Sequence, residues 1–374
     1  MMGTMSSLPR GLPPVLSGTG PEPVDMAKAD LLAQDAPAIS LEIAADMALE
    51  LYGVSGEIRP LSAERDANFH IRLDTGEEAL LRITNAVEDR AVTDMQTAVL
   101  MHLAAVDPSL PVQRIHASLA GRSSEIMNGP DGQTHVVRLM TFLRGTVLSS
   151  ATPGPGLHIE LGTLQARLNR ALRGFFHPAA GHYLQWDIKQ AHRLRPMLDA
   201  VADTDLRHRL TRLLDRFDAE IAPRLPHLRA QVVHNDFNPH NLLVDAPQAT
   251  CLTGIIDFGD MVHTPIACDL AVACSYQIAE GADPMCRIAE MVAAFNAMLP
   301  LEDEELELLP DLIRLRHATT LSIGAWRAQR YPGNAEYILR NGAASLRGLN
   351  ALEQLGNEAA IKALHAAVRA PLLE

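Results

Sequence analysis

The stretch that decides the fold is VVHNDFNPHNLLV, residues 232–244, followed shortly by IIDFGD, residues 255–260. In each, polar residues come directly after an apolar run, so each polar cluster is expected at the end of a short buried strand. The segment between the clusters, 242–256, predicts a hairpin that returns the chain to its start. Asp236 and Asp257 are therefore expected to lie close together, in loops of the kind that carry catalytic residues.

The spacing of these residues is typical of a phosphoryl-transfer site. Asp236 and Asn241 fit the D-x-x-x-x-N pattern of a kinase catalytic loop, and Asp257 opens the D-F-G triplet that binds magnesium. Phosphoryl transfer needs an acid to accept the hydroxyl proton, oxygen ligands for Mg²⁺, a cation on the phosphates and a backbone loop over them. Each motif alone occurs by chance, but the two in this order, each at a strand end, predict a kinase.

A zinc site is the alternative interpretation of the first cluster. His234, Asp236 and His240 combine imidazole and carboxylate groups at close spacing, and such groups can hold zinc. No further histidine-rich motif supplies the remaining ligands, and a zinc site leaves the D-F-G-D segment unexplained. The four cysteines include no C-x-x-C pair, so neither a zinc knuckle nor a disulfide framework is indicated.

Composition limits the class of protein. The chain has 374 residues, 47% hydrophobic and 21% charged, as in a soluble globular protein of about two domains or lobes. Its net charge of -13 disfavours a nucleic-acid partner. No apolar run reaches the roughly 18 residues of a membrane span, and prolines interrupt the N-terminal segment where a signal peptide would be apolar. We therefore expect a cytoplasmic protein with no nucleic-acid and no membrane partner.

Three regions are expected along the chain. Residues 1–37 hold six prolines and four glycines with little apolar periodicity, which predicts a flexible extension. Residues 38–143 predict a small antiparallel sheet with two helices, and residues 144–374 predict mainly helices with a few short strands. The strands expected in the first lobe cover residues 57–61, 68–73, 78–83, 112–116, 124–127 and 135–142. The main helices are expected over residues 40–53, 89–106, 156–172, 186–201 and 206–221, and over most of 268–368.

Six segments resemble the aminoglycoside phosphotransferase and choline kinase superfamily, and most closely its hydroxylysine kinase-like branch. They are SAERDANFHI (62–71), GFFHPAA (174–180), WDIKQA (186–191), VVHNDFNPHNLLV (232–244), IIDFGDMVHTPIACDLAVA (255–273) and AWRAQRYPGNAEYI (325–338). The resemblance runs from about residue 38 to 355. It implies an α+β, two-lobed protein-kinase-like fold with a nucleotide-binding lobe at 38–143 and a catalytic and substrate lobe at 144–374.

The resemblance also implies roles for the residues of the two motifs. Asp236 would be the catalytic base, while Asn241 and Asp257 would bind the Mg²⁺ that bridges the phosphates of ATP or GTP. His234 would brace the catalytic loop. Asp269 would accept backbone hydrogen bonds beneath that loop, or would simply cap the helix that follows it.

The nucleotide is expected to bind in the first lobe. The stretch from Ser62 to Phe69, which includes Asn68, would stand in for the loop that covers the phosphates, although it lacks the G-x-G-x-x-G of protein kinases. The backbone from Thr141 to Leu143 would form the hinge that binds the base. Hinge contacts of this kind leave the choice between ATP and GTP open.

Arg82 stands where the kinase pattern has its phosphate-binding lysine. No lysine occurs between Lys28 and Lys189, so no other lysine of the first lobe can take this role. Asp94 stands where the acidic partner on the following helix, usually a glutamate, is expected, and the longer arginine with the shorter aspartate would preserve the span of the pair. An arginine also binds two oxygens at once. The alternative is a solvated surface arginine on a scaffold that has lost activity.

The acceptor is expected in the second lobe, since members of the superfamily phosphorylate hydroxyl groups of small, usually amine-bearing molecules. Trp186 and Asp187 would form an ammonium site, unless Trp186 is ordinary helix core and Asp187 a solvated charge. Asp260 would supply a further carboxylate. Arg327 or Arg314 would hold the carboxylate of an amino-acid acceptor, unless they pair with surface acids.

The sequence thus predicts a kinase, dependent on Mg²⁺ and on ATP or GTP, that phosphorylates a hydroxyl of an amino acid or amino alcohol. The first choice of acceptor is 5-hydroxylysine, and homoserine, choline, ethanolamine and aminoglycosides are the alternatives. An inactive kinase-like module that binds nucleotide without turnover is the alternative of a different class.

Overall fold

An antiparallel sheet forms the first part of the computed structural model, which describes residues 36–61, 63, 65–245, 248–281 and 283–370. The sheet consists of β1 (Gly56–Leu61), β2 (Ala67–Leu73), β3 (Glu78–Ile83), β4 (Ile115–His116), β5 (Glu125–Asn128) and β6 (Thr134–Thr141). Its strand order is β1-β2-β3-β6-β4, and β5 also pairs with β6. The predicted sheet is confirmed, although the strand expected over 112–116 is only two residues long. Most of the predicted N-terminal extension lies outside the described residues.

Two helices accompany this sheet, as the sequence predicts. Helix α1 (Leu41–Tyr52) begins at Ser40, whose Oγ accepts a hydrogen bond from the Ile43 amide, and it ends at Gly53 with φ of 66°. Helix α2 (Arg90–Val106) begins after Asp89, whose carboxylate caps it. Because neighbouring residues of a strand point to opposite faces, one face of the sheet packs on α1. The other face carries Arg82, which is half-buried.

The remaining helices form the larger hydrophobic core. They are α3 (Leu157–Ala171), α4 (Thr204–Arg216), α5 (Ile266–Cys274), α6 (Met285–Met298), α7 (Asp303–Arg330), α8 (Ala335–Ile338), α9 (Gly342–Leu355) and α10 (Asn357–Arg369). Met95 and Leu103 of α2 belong to the same buried cluster as Leu161 of α3 and Phe295 of α6. The two halves of the chain therefore share a core through α2.

Short strands between these helices place the two sequence motifs side by side. They are β7 (Thr146–Val147), β8 (Thr152–Pro153), β9 (Ala230–Val233), β10 (Leu242–Val244), β11 (Gln248–Ala249), β12 (Leu252–Ile255) and β13 (Val262–Pro265). Strand β10 pairs with β12 as the predicted hairpin, and β9 pairs with β13. The loop between β9 and β10 and the loop between β12 and β13 therefore meet. The Ile256 amide donates to the Asn241 carbonyl at 2.9 Å across this junction.

Several elements differ from the sequence-based expectation, among them the two-residue strands β7, β8 and β11, which were not predicted. The segment predicted as a regular helix from residue 186 to 201 is a 3-10 helix, Ile188–Ala200, because Pro196 removes a backbone donor inside it. Strand β13 was not predicted, since it is only four residues long and contains Pro265. No helix among the described residues has the length and apolar character needed to cross a bilayer.

Candidate active site

The carboxylate of Asp236 lies at the centre of the meeting loops and is held from two sides. Its Oδ2 accepts a hydrogen bond from Asn241 Nδ2 at 2.6 Å, and its Oδ1 accepts one from Arg316 Nη2 at 3.3 Å. Asn241 Nδ2 also lies 3.1 Å from the backbone oxygen of Asp236. The spacing of five residues thus brings the acid and the amide into direct contact.

Buried side chains beneath the loop fix its backbone. Asn235 has a positive φ of 61°, and its amide donates to Asp269 Oδ1 at 2.7 Å. Asp269 Oδ2 accepts from Gln165 and Asn169 of α3, both at 2.9 Å. Asp269 therefore does accept a backbone hydrogen bond from the loop that carries Asp236. The alternative, a helix cap, is wrong because α5 begins at Ile266 and contains Asp269 within its first turn.

His234 connects the two motif-bearing loops. Its Nδ1 accepts from the Asp236 amide at 3.3 Å, and its Nε2 lies 3.2 Å from the Ile256 carbonyl oxygen. One neutral tautomer, with the proton on Nε2, satisfies both contacts. Because His234 is fully buried and both ring nitrogens are engaged, it is not available to bind zinc.

Asp257 lies in the neighbouring loop with its carboxylate open to the cleft. Its backbone has φ of 60°, its side chain is 48% exposed, and its Oδ1 accepts from the Gly259 amide at 3.2 Å. The amide nitrogen of Asn241 donates to Asp236, so its amide oxygen is the atom that could bind a metal. Magnesium prefers a few protein oxygen ligands together with water and phosphate oxygens. The oxygen atoms of Asn241 and Asp257 fit that requirement.

The predicted ion pair between Arg82 and Asp94 is wrong. Arg82 Nε instead donates to Asp66 Oδ2 at 2.5 Å, and Asp94 lies on the exposed face of α2. Asp66 also accepts from the Asn85 amide at 2.9 Å. Burial would raise the pKa of Asp66, but the Arg82 charge and the Asn85 amide lower it below its usual value. Arg82 Nη2 lies 4.0 Å from Asp257, so Arg82 faces the cleft and is not a solvated surface arginine.

The other residues predicted to bind nucleotide do not all lie at the cleft. Asn68 pairs with Arg82 across β2 and β3 and lies on the cleft face. Phe69 is 4% exposed and packs in the core against α1, so its side chain lies on the opposite face from Arg82, which contradicts its assignment to the phosphate loop. Thr141 Oγ1 accepts from the Arg114 amide at 2.9 Å, and Leu143 follows half-buried. Ser62 lies outside the described residues.

The predicted ammonium site at Trp186 and Asp187 is wrong. Asp187 is 2% exposed and accepts from the Thr264 hydroxyl at 2.8 Å and from the Lys189 amide at 3.0 Å, so it is a buried helix cap and not a solvated charge. The Arg316 guanidinium lies 5.2 Å from the centre of the Trp186 ring and donates to the Trp186 carbonyl at 3.1 Å. An arginine of the protein thus occupies the ring face on which an ammonium group would have to stack.

The remaining residues predicted to bind the acceptor are Asp260, Arg327 and Arg314. Asp260 faces Arg65, with 3.4 Å between Oδ1 and Nη2. Burial raises the pKa of Asp260 to about 7, opposed by the Arg65 charge and assisted by the charges of Asp236 and Asp257. Arg327 lies eleven residues beyond Arg316 on α7, which is roughly 16 Å along a helix. Arg314 is buried and pairs with Asp311, so it is not a surface residue.

Residues 57–306, two thirds of the chain, match the sequence profile described as "Phosphotransferase enzyme family". The chain belongs to this phosphotransferase family. Phosphotransferases of this kind include the hydroxylysine kinase of Xenopus laevis, which is 28% identical over 350 residues that cover 87% of this chain and 93% of that protein. The hydroxylysine kinase of Danio rerio is 28% identical over 86% of this chain and 94% of that protein.

Solved structures of phosphotransferases share the fold. A microcompartment-associated aminopropanol kinase superposes with a TM-score of 0.66 at 19% identity, and the match covers 87% of this chain and 100% of that chain. An amicoumacin kinase in complex with AMP-PNP, Ca²⁺ and Ami gives a TM-score of 0.62 at 14% identity, covering 85% of this chain and 98% of that chain. The two-lobed, protein-kinase-like α+β fold is therefore confirmed.

Four charged residues at the cleft of this phosphotransferase were not singled out from the sequence. Arg65 and Asp66 lie within the stretch expected to cover the phosphates, whereas Glu88 and Arg316 lie outside every predicted site segment. Asp66 directly precedes β2, in which Asn68 pairs with Arg82, so the strand register would have indicated its position. Arg316 lies in DLIRLRH, residues 311–317 of α7, where charged and apolar residues are mixed, so the sequence does not indicate that Arg316 is buried. Arg65 and Glu88 lie in connecting segments and carry no comparable signal.

Proposed function

We propose that this phosphotransferase transfers the γ-phosphate of ATP or GTP to a hydroxyl of a small amino acid or amino alcohol, with 5-hydroxylysine as the first candidate. The arrangement of Asp236 carries the proposal, because Asn241 and Arg316 each engage one of its carboxylate oxygens. An ionised carboxylate has about four acceptor sites, so Asp236 keeps sites for the acceptor hydroxyl. The similarity to two hydroxylysine kinases over most of the chain supports this acceptor.

Asp236 is the group that accepts the proton in this reaction. The acceptor oxygen attacks the γ-phosphorus, the bond from that phosphorus to the β,γ-bridging oxygen breaks, and the nucleoside diphosphate leaves. Asp236 takes up the hydroxyl proton, and the contacts with Asn241 and Arg316 keep its carboxylate in one orientation for the transfer. His234 and Asp269 support this orientation through the loop backbone.

Asn241 and Asp257 would hold Mg²⁺ on the other side of Asp236. The ion, when bound, neutralises charge on the phosphates. Because Asn241 contacts Asp236 through its amide nitrogen, the same side chain would position both the base and the metal. The relative that was solved with AMP-PNP supports a nucleoside triphosphate as the co-substrate.

The phosphates would lie between the two lobes. Arg82 points towards Asp257 from β3 and would bind phosphate oxygens, while Asn68 lies beside it. Residues 38–143 would form the nucleotide lobe, with the hinge at Thr141–Leu143, and residues 144–374 would bind the acceptor. Asp260, whose charge interacts with that of Asp236, would be the carboxylate that binds an ammonium group of the acceptor.

A panel of acceptors tests the proposal. The purified protein is incubated with Mg²⁺, either ATP or GTP, and one of 5-hydroxylysine, homoserine, ethanolamine, choline or an aminoglycoside, and the products are identified by mass spectrometry. We expect a product heavier by one phosphoryl group with 5-hydroxylysine, and no such product when Mg²⁺ is omitted. Tight nucleotide binding without any phosphorylated acceptor would instead support an inactive nucleotide-binding module.

A further inference from the structure

Arg65 crosses from the first lobe to the D-F-G-D segment of the second. It lies in the connection that leads into β2, and its Nη2 is 3.4 Å from Asp260 Oδ1. Its Nη1 is 3.9 Å from Glu88 Oε2, and its side chain remains 27% exposed. A Cβ placed on Gly259 would lie 3.6 Å from Arg65 Nη2, so the guanidinium lies directly against the turn that follows Asp257.

Arg82 and Arg65, the two cleft arginines contributed by the first lobe, are held differently. Arg82 donates to Asp66 at 2.5 Å from Nε, which fixes the middle of its side chain. The contacts of Arg65 with Asp260 and Glu88 are at or beyond the long limit of hydrogen bonding, at 3.4 and 3.9 Å. Contacts of that length lack the close, aligned geometry of a strong charge-assisted hydrogen bond, so Arg65 exchanges partners more readily than Arg82 does.

The cleft contains more acidic than basic groups around Arg65. The carboxylates of Asp260, Glu88, Asp257 and Asp66 all act on its guanidinium. A metal ion bound by Asp257 would take over one of these charges, and a triphosphate would bring several negative charges next to the same guanidinium. An arginine binds phosphate oxygens with two parallel hydrogen bonds, which is stronger than a long contact with a single carboxylate oxygen.

We propose that Arg65 is a second phosphate-binding cation of the active site, which leaves Asp260 and Glu88 and binds oxygens of the γ-phosphate when the metal–nucleotide complex enters. This inference rests on the proposed function. The connection between β1 and β2 lacks the glycine pattern that gives protein kinases a loop of backbone donors over the phosphates. Arg65 supplies from that connection a charged donor for the oxygens on which negative charge shifts during transfer.

The exchange also has a consequence for the acceptor. When Arg65 moves to the phosphate, Asp260 loses its cationic partner next to Asp236. An ammonium group of the acceptor then replaces the guanidinium at Asp260. A nucleoside triphosphate would therefore prepare the acceptor site, whereas a diphosphate, which has no γ-phosphate for Arg65, would not.

Calorimetric titration with AMP-PNP and with ADP, both with Mg²⁺, separates a γ-phosphate contact from a general effect on the cleft. For Arg65→Ala we expect the affinity for AMP-PNP to fall by about tenfold or more, the scale of a charge-assisted hydrogen bond, and the affinity for ADP to stay within a factor of about two. We expect kcat to fall by about a hundredfold and to recover in part when methylguanidinium is added. Arg72→Ala, which removes an exposed arginine from β2 of the same sheet, is the matched control and should behave as the unchanged protein.

Equal losses for AMP-PNP and ADP, or no loss for either, would overturn the role of Arg65 while leaving the proposed function intact, provided that the unchanged protein phosphorylates an acceptor. An unchanged protein that binds neither nucleotide would overturn the proposed function and this inference together. Arg65→Lys covers the case in which Arg65→Ala does not fold, because it keeps the charge and loses only the paired donors. Arg65→Lys should lower the affinity for AMP-PNP more than the affinity for ADP. An equal change in the two affinities would again contradict the inference.

Discussion

Arg82 is held in the cleft by one close contact to a buried carboxylate. Its Nε donates to Asp66 Oδ2 at 2.5 Å, and Asp66 also accepts a hydrogen bond from the Asn85 amide. The terminal Nη2 of Arg82 lies 4.0 Å from Asp257. The inner and outer nitrogens of the guanidinium therefore face different carboxylates, one beside β2 and one in the D-F-G-D segment.

The contact of Arg82 through Nε makes its replacement by lysine informative. Arg82→Lys should keep the ion pair with Asp66, since a lysine amine lies only one bond beyond the position of Nε, but it loses the terminal nitrogen that faces Asp257. We expect KM for the nucleotide to rise about tenfold with little change in melting temperature. Arg82→Met should in addition lower the free energy of unfolding by roughly 3 to 5 kcal/mol, because Asp66 stays buried without its charge partner.

Asp94→Ala is the control for this prediction, since it removes the residue that sequence spacing selected as the partner. We expect its steady-state kinetics and its melting temperature to match those of the unchanged protein. An Asp94→Ala variant as impaired as Arg82→Lys would contradict the pairing of Arg82 with Asp66.

At the scale of elements, the catalytic loop depends on helix α3. Gln165 and Asn169 on α3 hold the carboxylate of Asp269, which in turn holds the Asn235 amide. Helix α3 packs closely on α6 at Gly162, where an added Cβ would lie 2.1 Å from the Met291 carbonyl oxygen. Real side chains do not tolerate that distance to backbone, so the glycine sets the separation of the two helices.

Gly162→Ala should therefore push α3 away from α6. We expect the free energy of unfolding to fall by about 1 to 3 kcal/mol, as for other overpacked cores, and kcat to fall as Asp269 loses its support. Urea denaturation followed by circular dichroism measures the first effect, and the acceptor assay measures the second.

Gly342→Ala provides the comparison, because Gly342 opens α9 and an added Cβ there meets nothing within 4 Å. It should leave the urea midpoint unchanged or raise it slightly, since alanine favours a helix over glycine by about 1 kcal/mol. An equal loss of stability in both variants would contradict the account, because Gly342→Ala has no close contact to explain a loss.

The secondary structure could be predicted well wherever one side of an element is buried. Strands β2 and β3 and helices α1, α2 and α3 begin and end within about two residues of the expected positions, because their apolar periodicity and caps are local signals. The role of Asp187 was predicted wrongly for two reasons. One partner, the Thr264 hydroxyl, is distant in sequence. The other is a backbone amide of a 3-10 helix, which apolar periodicity alone does not distinguish from an α-helix.

At the scale of the whole molecule, the active site is assembled from contacts between distant segments. Arg316 reaches Asp236 across 80 residues of sequence, and Arg65 reaches Asp260 across 195. No sequence motif indicates either pairing, because both depend on how α7 and the first lobe pack around the two loops. Asp236, Asn241 and Asp257 could be predicted because each lies within a few residues of a short strand, and β10 and β12 then bring the loops together.

The claim that Asp236 is the proton acceptor of a phosphoryl transfer is tested most directly by the Asp236→Asn variant. Asparagine keeps the size of the side chain and one oxygen for the contacts with Asn241 or Arg316, but it cannot take up the proton. The measurement is the rate of 5-hydroxylysine phosphorylation at saturating Mg²⁺ and nucleotide, together with the affinity for AMP-PNP. We expect the affinity to be retained and kcat to fall by about a hundredfold or more, the scale of general base catalysis. Turnover within a factor of about two of the unchanged protein would contradict the account.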